Sequence, residues 1–298
     1  MKALIARHPY LALALVATGA AGPAGAAEPP PPARAPSVRV EPGRVRPGDA
    51  LLVTVTGAVS APAATVGGRD LRFYRVEGGY EAVAALPVEL EPGRLPVEVR
   101  VAEDGAALRA EAEVVEPGFP ESHLKVAPRY LAPSPEQKKR MERDQAAFLR
   151  AYDQPFGPPL FDGPFAAPRA SEVTAAFGER RIFNGKKQSQ HFGTDLAGEV
   201  GAPVAAANDG VVVLARDCFA SGKSLVLWHG ADLFTVYFHL SAFEARPGDH
   251  VHRGQVVGRV GRTGRVTGPH LHFGTKVGSL YVDPASVYRL RFSPAAPP

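Results

Sequence analysis

Apolar and polar residues alternate in short runs along residues 37–117, and turn residues separate these runs. Alternation with a period of two is typical of a strand with one buried face, and regular Gly/Pro punctuation favours a small β-sandwich. The candidate strands are Ser37–Val40, Leu51–Val55, Leu71–Tyr74, Glu81–Ala84, Val97–Val101 and Ala110–Val115. The segment contains no histidine, so we expect it to serve as a spacer, a binding face or a lid.

A second β-rich pattern covers residues 169–290, and segments with a helical period are absent from it. Its candidate strands are Val204–Ala206, Gly210–Ala215, Leu225–Trp228, Phe234–Leu240, Val256–Val260 and His270–Val277. Turn residues separate them, which predicts a mainly antiparallel domain. The chain as a whole is therefore predicted to be all-β, with an N-terminal small β-sandwich, a helical connector and a C-terminal antiparallel β domain.

The connector, residues 118–168, contains one helical signal. Ser134 is a good N-cap, a proline follows at the first helical position, and Gln137 completes a capping box. The helix is predicted to run to about Tyr152. Four apolar residues should share one face: Met141, Phe148, Leu149 and Tyr152. A Pro-rich stretch then leads to residue 168.

The N-terminus has the pattern of a secretory signal peptide, residues 1–26. Its positive residues, apolar core and small-residue cleavage motif are Lys2 and Arg7, Leu11–Ala20, and Ala24–Ala26. An uncleaved anchor is the alternative, although the apolar run is shorter than the roughly 20 residues that span a bilayer. A Pro-rich linker, 27–36, follows, and 291–298 form a tail.

Composition narrows the choice of function. The chain has 298 residues, a net charge of +4 and one cysteine, Cys218. Its length fits about two domains. Acids nearly balance the bases and no dense basic stripe occurs, which argues against nucleic-acid binding. Cys218 cannot form an intramolecular disulfide, and we expect it to be buried or half-buried.

Two short segments carry candidate metal chemistry: His191–Asp195 and His270–His272. Residues i and i+2 of a strand share a face, so His270 and His272 should point the same way, as should His191 and Asp195. Two imidazoles and one carboxylate leave a coordination position open, as catalytic zinc sites do. On a third strand, Thr235, Tyr237 and His239 would share a face. Each histidine alone has a surface or core alternative.

Several segments resemble the motifs of lysostaphin-type (LytM-like) zinc metalloendopeptidases. They follow in order over about 169–290: His191–Asp195, Gly201–Val204, Asp209–Val212, Tyr237–Leu240, Gly254–Gly258 and Gly264–Phe273. The upstream β domain is similar, more weakly, to the accessory domain that often precedes this peptidase in exported Gram-negative members. The resemblance implies that 169–290 is a zinc peptidase domain and 37–117 a β-sandwich accessory domain.

Carried over by motif, the resemblance implies that His191, Asp195 and His272 bind Zn²⁺, with His239 and His270 as catalytic residues beside them. The implied activity is hydrolysis of peptide cross-links of bacterial peptidoglycan by a metal-activated water. Such a protein would be exported, periplasmic or secreted, and would meet a peptidoglycan peptide. We expect no nucleic-acid partner, no membrane contact after removal of the signal, and a monomer.

Other polar residues have less specific patterns. His250 and His252 should lie in an exposed loop, and His229 should have a structural or outer-groove role. A polar segment before His191 is either a solvated loop or a groove wall; its members are Arg180, Arg181, Asn184, Lys186 and Lys187.

Two rival functions are an idle activator of other cell-wall hydrolases and a wall-binding protein in which the sandwich is the working part. The retained ligand set argues against the first. Because an exported wall hydrolase is harmful if always active, the N-terminal domain could also fold over the groove. Deletion of residues 27–168 would then raise activity on soluble peptides.

Overall fold

The computed structural model of the protein describes residues 35–101, 107–125, 132–185, 187–294 and 296. The predicted signal peptide, and the linker up to residue 34, lie outside the described residues. The described chain from residue 35 onward belongs to one compact unit.

The first part of the described chain consists of short strands joined by Gly/Pro turns. They are β1 (Ser37–Glu41), β2 (Arg44–Val45), β3 (Ala50–Thr56), β4 (Ala63–Val66), β5 (Arg69–Asp70), β6 (Tyr74–Val76), β7 (Gly79–Ala85), β8 (Gly93–Arg100) and β9 (Ala107–Val114). One sheet has the order β1-β3-β7-β6 and the other β2-β9-β8-β4-β5. Apolar residues of both sheets meet in one cluster, so the predicted sandwich is confirmed.

Strand β8 shows the alternation that the sequence predicts, whereas β3 does not. In β8, Leu95, Val97 and Val99 are buried and the intervening residues are exposed. In β3, every residue before Thr56 is buried, because the strand has a core on each side. The predicted strand Leu71–Tyr74 is wrong in its limits: of its residues only Tyr74 lies in a strand, at the start of β6.

A short strand and a helix lead into the second part. Strand β10 (Glu121–Leu124) was not predicted, and helix α1 (Pro135–Tyr152) matches its predicted limits. Ser134 caps α1 and forms the predicted capping box with Gln137. The predicted apolar face is only half right. Phe148 and Tyr152 pack on the sheet below, but Met141 and Leu149 are exposed.

The buried stripe of α1 instead runs through Asp144, Ala147 and Ala151. Asp144 tolerates burial because its carboxylate accepts hydrogen bonds from Arg216 Nε at 2.9 Å and from the Phe219 backbone N–H at 2.8 Å. The packed face is therefore centred on a polar residue. For this reason the spacing of apolar residues alone predicted a face that is shifted by about one residue along the helix.

The second part is again mostly antiparallel β structure. Its elements are β11 (Val173–Ala175), β12 (Arg180–Phe183), β13 (Lys187–Gln190), β14 (Thr194–Ala197), β15 (Pro203–Ala205), β16 (Gly210–Cys218), β17 (Gly222–Trp228), β18 (Leu233–Leu240), β19 (Ala242–Phe243), β20 (His250–Val251), β21 (Val256–Arg259), β22 (His270–Val277), β23 (Leu280–Val282) and α2 (Pro284–Val287). The one-turn helix α2 is a small departure from the predicted absence of helix.

The large central sheet has the order β11-β14-β22-β18-β17-β16-β20, with β23 also paired to β22. Strands β15, β21 and β19 form a smaller sheet, and β10, β12 and β13 form another. Within the last sheet, β10 runs parallel to β12, with Glu121 opposite Arg180 and Leu124 opposite Phe183. The connector thus contributes a strand to the second part.

The sandwich packs directly on the second part through its β1-β3-β7-β6 sheet. The outward face of this sheet shares a core with the central sheet through Ala50, Leu52, Val83 and Ala85. Polar contacts reinforce the junction: Ala50 N–H donates to Ser286 Oγ at 2.9 Å. Near the C-terminus, Ser293 Oγ donates to the fully buried Glu81 at 2.5 Å.

The predicted all-β class is confirmed. The predicted domain boundaries at 117/118 and 168/169 remain predictions, since the two parts share a core. No helix among the described residues has the length and apolar character needed to cross a bilayer.

Candidate active site

Three of the predicted site residues meet at the junction of β14 and β22. Asp195 in β14 lies directly opposite His272 in β22, and opposed residues of an antiparallel pair lie close enough for their side chains to touch. His191 lies just after β13, outside any strand, which corrects the prediction that every site residue is on a strand.

The potential ligand atoms of these residues form a small triangle. His191 Nε2 lies 2.9 Å from His272 Nδ1 and 3.0 Å from Asp195 Oδ1, and His272 Nδ1 lies 2.9 Å from Asp195 Oδ1. Around a tetrahedral zinc ion, ligand atoms lie about 3.3 Å apart. The described residues hold one group of three or more such side chains that could share a metal ion, and it is this one.

The ring of His191 is oriented by the backbone. Its Nδ1 lies 2.9 Å from the Ala176 carbonyl oxygen, which makes Nδ1 the protonated nitrogen and leaves the Nε2 lone pair facing the triangle. Metal-binding histidines commonly donate their other N–H to a carbonyl in this way. The donor set and its orientation therefore fit a divalent metal.

Gly193 is required by the close approach of the chain to His272. A Cβ at position 193 would lie 2.5 Å from His272 Cε1 and Nε2, and 2.7 Å from the Phe273 carbonyl oxygen. A side chain here would collide first with the ring of His272.

His270 and His239 border the triangle. His270 Nε2 lies 3.8 Å from Asp195 Oδ1, and the ring centroids of His239 and His270 are 5.0 Å apart. His239 Nδ1 lies 2.9 Å from the Thr263 carbonyl oxygen, and His270 Nδ1 lies 3.0 Å from the Gly268 carbonyl oxygen. Both rings therefore keep Nε2 unprotonated while they are neutral.

His239 reaches this position through a bulge in β18. Lys223 pairs with Leu240 and Leu225 with Tyr237, so β18 has one residue more than β17 in this interval. His239 has φ 64°, a conformation that residues other than glycine adopt rarely and often at functional sites. The bulge breaks the alternation of the strand.

As a result, the predicted common face of Thr235, Tyr237 and His239 is wrong. Thr235 Oγ1 and the Tyr237 hydroxyl lie in the core, where His229 Nε2 is 2.8 Å from Thr235 Oγ1. Phe238 joins His239 at the site instead, and its ring stacks on His272 with centroids 5.2 Å apart.

The electrostatic environment favours the ionisation states that bind a metal. Burial raises the pKa of Asp195, but hydrogen bonds with His191 and His272 outweigh it and hold that pKa well below its usual range. Burial, followed by the charges of His272 and His270, lowers the pKa of His239 to about 3. Burial also lowers the pKa of His272. The carboxylate is therefore ionised and these two imidazoles neutral at pH 7.

An open groove of about 780 Å³ lies over these residues. Its lining includes side chains that were not predicted from the sequence, namely Leu124, Lys125, Phe238 and Tyr281. The sequence left Arg181 in either a solvated loop or a groove wall; it lies in β12 and lines the groove, and its Nη2 donates to Asp195 Oδ2 at 2.8 Å. The spacing of Glu179 and Arg181, two residues apart and shortly before His191, could have predicted that their side chains lie on one face.

The other polar candidates lie away from the groove. His229 is fully buried, with Nδ1 2.6 Å from the Asp209 carbonyl oxygen, and its role is structural. His250 and His252 are exposed, His250 at the start of β20. Cys218 is buried, as expected. Of the predicted polar loop, Lys186 lies outside the described residues.

Comparison with known proteins places this site in a family. The model of "Peptidase family M23" matches residues 189–284. A solved structure of a Pseudomonas aeruginosa protein described as a peptidase M23 is 30% identical, with TM-score 0.58, over 81% of this chain and 94% of that one. The chain belongs to peptidase family M23.

Curated relatives match about a third of this M23 chain. Peptidoglycan DD-endopeptidase ShyA of Vibrio cholerae is 43% identical over 102 residues, which are 34% of this chain and 24% of that protein. DD-carboxypeptidase/endopeptidase Mpg of Neisseria meningitidis is 41% identical over 97 residues, 33% of this chain and 22% of that protein. The M23 chain thus spans about a quarter of the length of these relatives.

Proposed function

We propose that this protein is a zinc-dependent endopeptidase that hydrolyses peptide cross-links of bacterial peptidoglycan. The observation that carries the proposal is the convergence of five side chains. Three are potential ligands, His191, Asp195 and His272, and two are further imidazoles, His239 and His270. The names of the relatives ShyA and Mpg support the substrate.

In this proposal His191 Nε2, His272 Nδ1 and Asp195 Oδ1 hold the metal. A bound Zn²⁺ would supply Lewis-acid polarisation of the scissile carbonyl and a lowered pKa of water. The three protein ligands leave a position for water and substrate, as in other catalytic zinc sites. The observed separations of 2.9–3.0 Å require only a small outward movement of the side chains.

His239 and His270 are proposed to move protons. Each keeps Nε2 free, because Nδ1 is engaged by a carbonyl of the same loop, at Thr263 and Gly268 respectively. A neutral imidazole can accept a proton from the attacking water. Once protonated, it can donate to the developing oxyanion or to the leaving amine. One loop, residues 261–269, thus orients both rings.

We further propose that the protein is exported to the periplasm or secreted, where its substrate lies. The relatives named as peptidoglycan endopeptidases support this location. The proposed cleavage of residues 1–26 is tested by N-terminal sequencing of protein recovered from the cell envelope.

Digestion of purified sacculi tests the activity. We expect the mature protein to release muropeptides, a chelator to stop the release, and zinc to restore it. His272→Ala should abolish both zinc binding and release, whereas His239→Ala should abolish release with zinc still bound. His252→Ala, an exposed histidine away from the groove, is the matched control and should behave like wild type.

The idle alternatives make different predictions. An activator or wall-binding protein would bind sacculi and release nothing, with or without zinc. Chelator-insensitive release, or wild-type release by His272→Ala, would contradict the zinc mechanism.

A further inference from the structure

Arg181 connects two carboxylates at the base of the groove. Its Nε donates to Glu179 Oε2 at 2.6 Å and its Nη2 donates to Asp195 Oδ2 at 2.8 Å. All three side chains are largely shielded from water, with exposed fractions of 19% for Arg181, 14% for Glu179 and 11% for Asp195. Charge-assisted bonds in such an environment are strong and directional.

The two oxygens of Asp195 consequently face different partners. Oδ1 lies 2.9 Å from His272 Nδ1 and 3.0 Å from His191 Nε2, inside the ligand triangle. Oδ2 accepts from Arg181 on the other side. Rotation of the carboxylate would break the bond to Arg181, so the guanidinium keeps one oxygen in the triangle and the other outside it.

The hairpin that carries Arg181 is itself held by the connector. Strand β12 pairs with β13 on one side and with β10 on the other. The segment before β10 is also seated closely: a Cβ at Gly178 would lie 2.2 Å from the ring of Phe119. The position of Arg181 is therefore set by strand pairing and by packing, not by a free loop.

We propose that Arg181 is a positioning residue of the metal centre, and that it holds Asp195 for binding through Oδ1 alone. The inference deepens the proposed function and rests on it. Arg181 acts through Asp195. Glu179 anchors the far side of the guanidinium so that the fork cannot turn away.

Arginine suits this position better than lysine. Its planar fork presents two donors in fixed directions, whereas an ammonium is a compact point charge on a flexible stem. A lysine at 181 could pair with Glu179 or with Asp195, but it would not hold both in one geometry. Residues that orient a metal ligand in this way typically change metal affinity 10–100-fold when they are mutated.

The test compares the zinc affinity of full-length variants by competition with a chromogenic chelator. We expect Arg181→Gln to bind zinc about 10–100-fold more weakly than wild type, and Arg181→Lys to recover only part of the loss. The control is Arg180→Gln: this neighbour in β12 is exposed and alternates to the opposite face, so its affinity should be unchanged.

A second readout separates positioning from a general structural role. With Co²⁺ in place of zinc, loss of Arg181 should change the visible absorption spectrum, because Asp195 is then free to bind through both oxygens or to turn away. Loss of stability alone would lower the melting temperature of the metal-free protein and leave the spectrum of the Co²⁺ form unchanged, which would overturn the inference.

The remaining outcomes are also decisive. Wild-type zinc affinity in a folded Arg181→Gln, with only KM raised, would mean that Arg181 contacts the substrate instead. If Arg181→Gln does not fold, Glu179→Gln takes its place and should weaken zinc binding by a smaller factor; unchanged affinity there overturns the inference. Failure of the wild type to bind zinc would refute the proposed function itself.

Discussion

Replacement of Gly193 by alanine is the sharpest test of how closely the site is packed. The added Cβ would lie 2.5 Å from two atoms of the His272 ring, whereas ordinary contact begins at 3.4 Å. The loop and the ring must therefore separate by about 0.9 Å. The Phe273 carbonyl oxygen, 2.7 Å from the same position, belongs to the backbone of β22 and leaves little room on that side.

The two consequences differ in size. Forcing one extra carbon into a packed site costs about 1–3 kcal/mol, which lowers the melting temperature of a protein of this size by several degrees. A displacement of about 1 Å at a reacting centre can cost about 100-fold in rate. We therefore expect Gly193→Ala to remain folded and to lose about two orders of magnitude in kcat/KM.

Muropeptide release and thermal unfolding of the same preparation measure both effects. The control is Gly268→Ala, where a Cβ meets nothing within 4 Å and the carbonyl that orients His270 is kept. This variant should retain activity, and its stability should be unchanged or slightly raised because alanine restricts the unfolded chain. Wild-type activity in Gly193→Ala would refute the packing argument.

Three further predictions follow from contacts outside the ligand triangle. Deletion of residues 27–168 should lower activity on soluble peptides, because it removes β10 from the groove wall and uncovers Phe234 and Phe238. The autoinhibition hypothesis predicts the opposite, so a rise in the activity of a folded deletion variant would refute this prediction. Asp144→Ala should lower the free energy of unfolding in urea by about 1–3 kcal/mol, since it leaves the Phe219 N–H unpaired. The control Asp217→Ala breaks only an exposed ion pair with Arg140 and should lower the free energy of unfolding by less than about 1 kcal/mol. Burial lowers the pKa of His229 to about 4. Between pH 6.5 and 4 the unfolded state therefore binds a proton that the folded state does not bind, so His229 lowers the free energy of unfolding increasingly as the pH falls through this range and has no such effect above pH 6.5. A folded His229→Gln should lose less unfolding free energy than wild type between pH 7 and 4.5, and an equal slope would contradict the assignment.

The autoinhibition hypothesis is also weakened by the position of the sandwich. Among the described residues that line the groove, none belongs to β1–β9; the connector supplies Leu124 and Lys125. The connector therefore helps to build the groove in this structure.

Local signals in the sequence were sufficient for several features. The capping box at Ser134 fixed the start of α1, and period-two alternation revealed β8 and the shared face of His270 and His272. These features depend on neighbours in the chain or on a simple strand geometry, which is why they could be predicted. The ligand set itself was implied by the family resemblance: the pairing of β14 with β22 brings together only Asp195 and His272, and His191 lies outside both strands.

Other features depend on long-range packing, which one sequence does not reveal. His239 faces the site because β18 bulges after Tyr237, whereas Thr235 and Tyr237 stay on the buried face. The contact of Arg181 with Asp195 requires the β12–β13 hairpin to fold over β14. Strand β10 is short and polar, and only its parallel pairing with β12 makes it a strand.

The shared core between the sandwich and the central sheet limits the modularity of this protein. The sandwich presents an apolar surface to the second part, formed by Ala50, Leu52, Val83 and Ala85. We therefore expect that it cannot be replaced by an unrelated sandwich without loss of this packing. A chimera with a foreign sandwich would need to reproduce that surface and the buried carboxylate of Glu81, which accepts a hydrogen bond from Ser293 Oγ. Recombination between relatives should therefore preserve the two parts together more often than the M23 motifs alone would suggest.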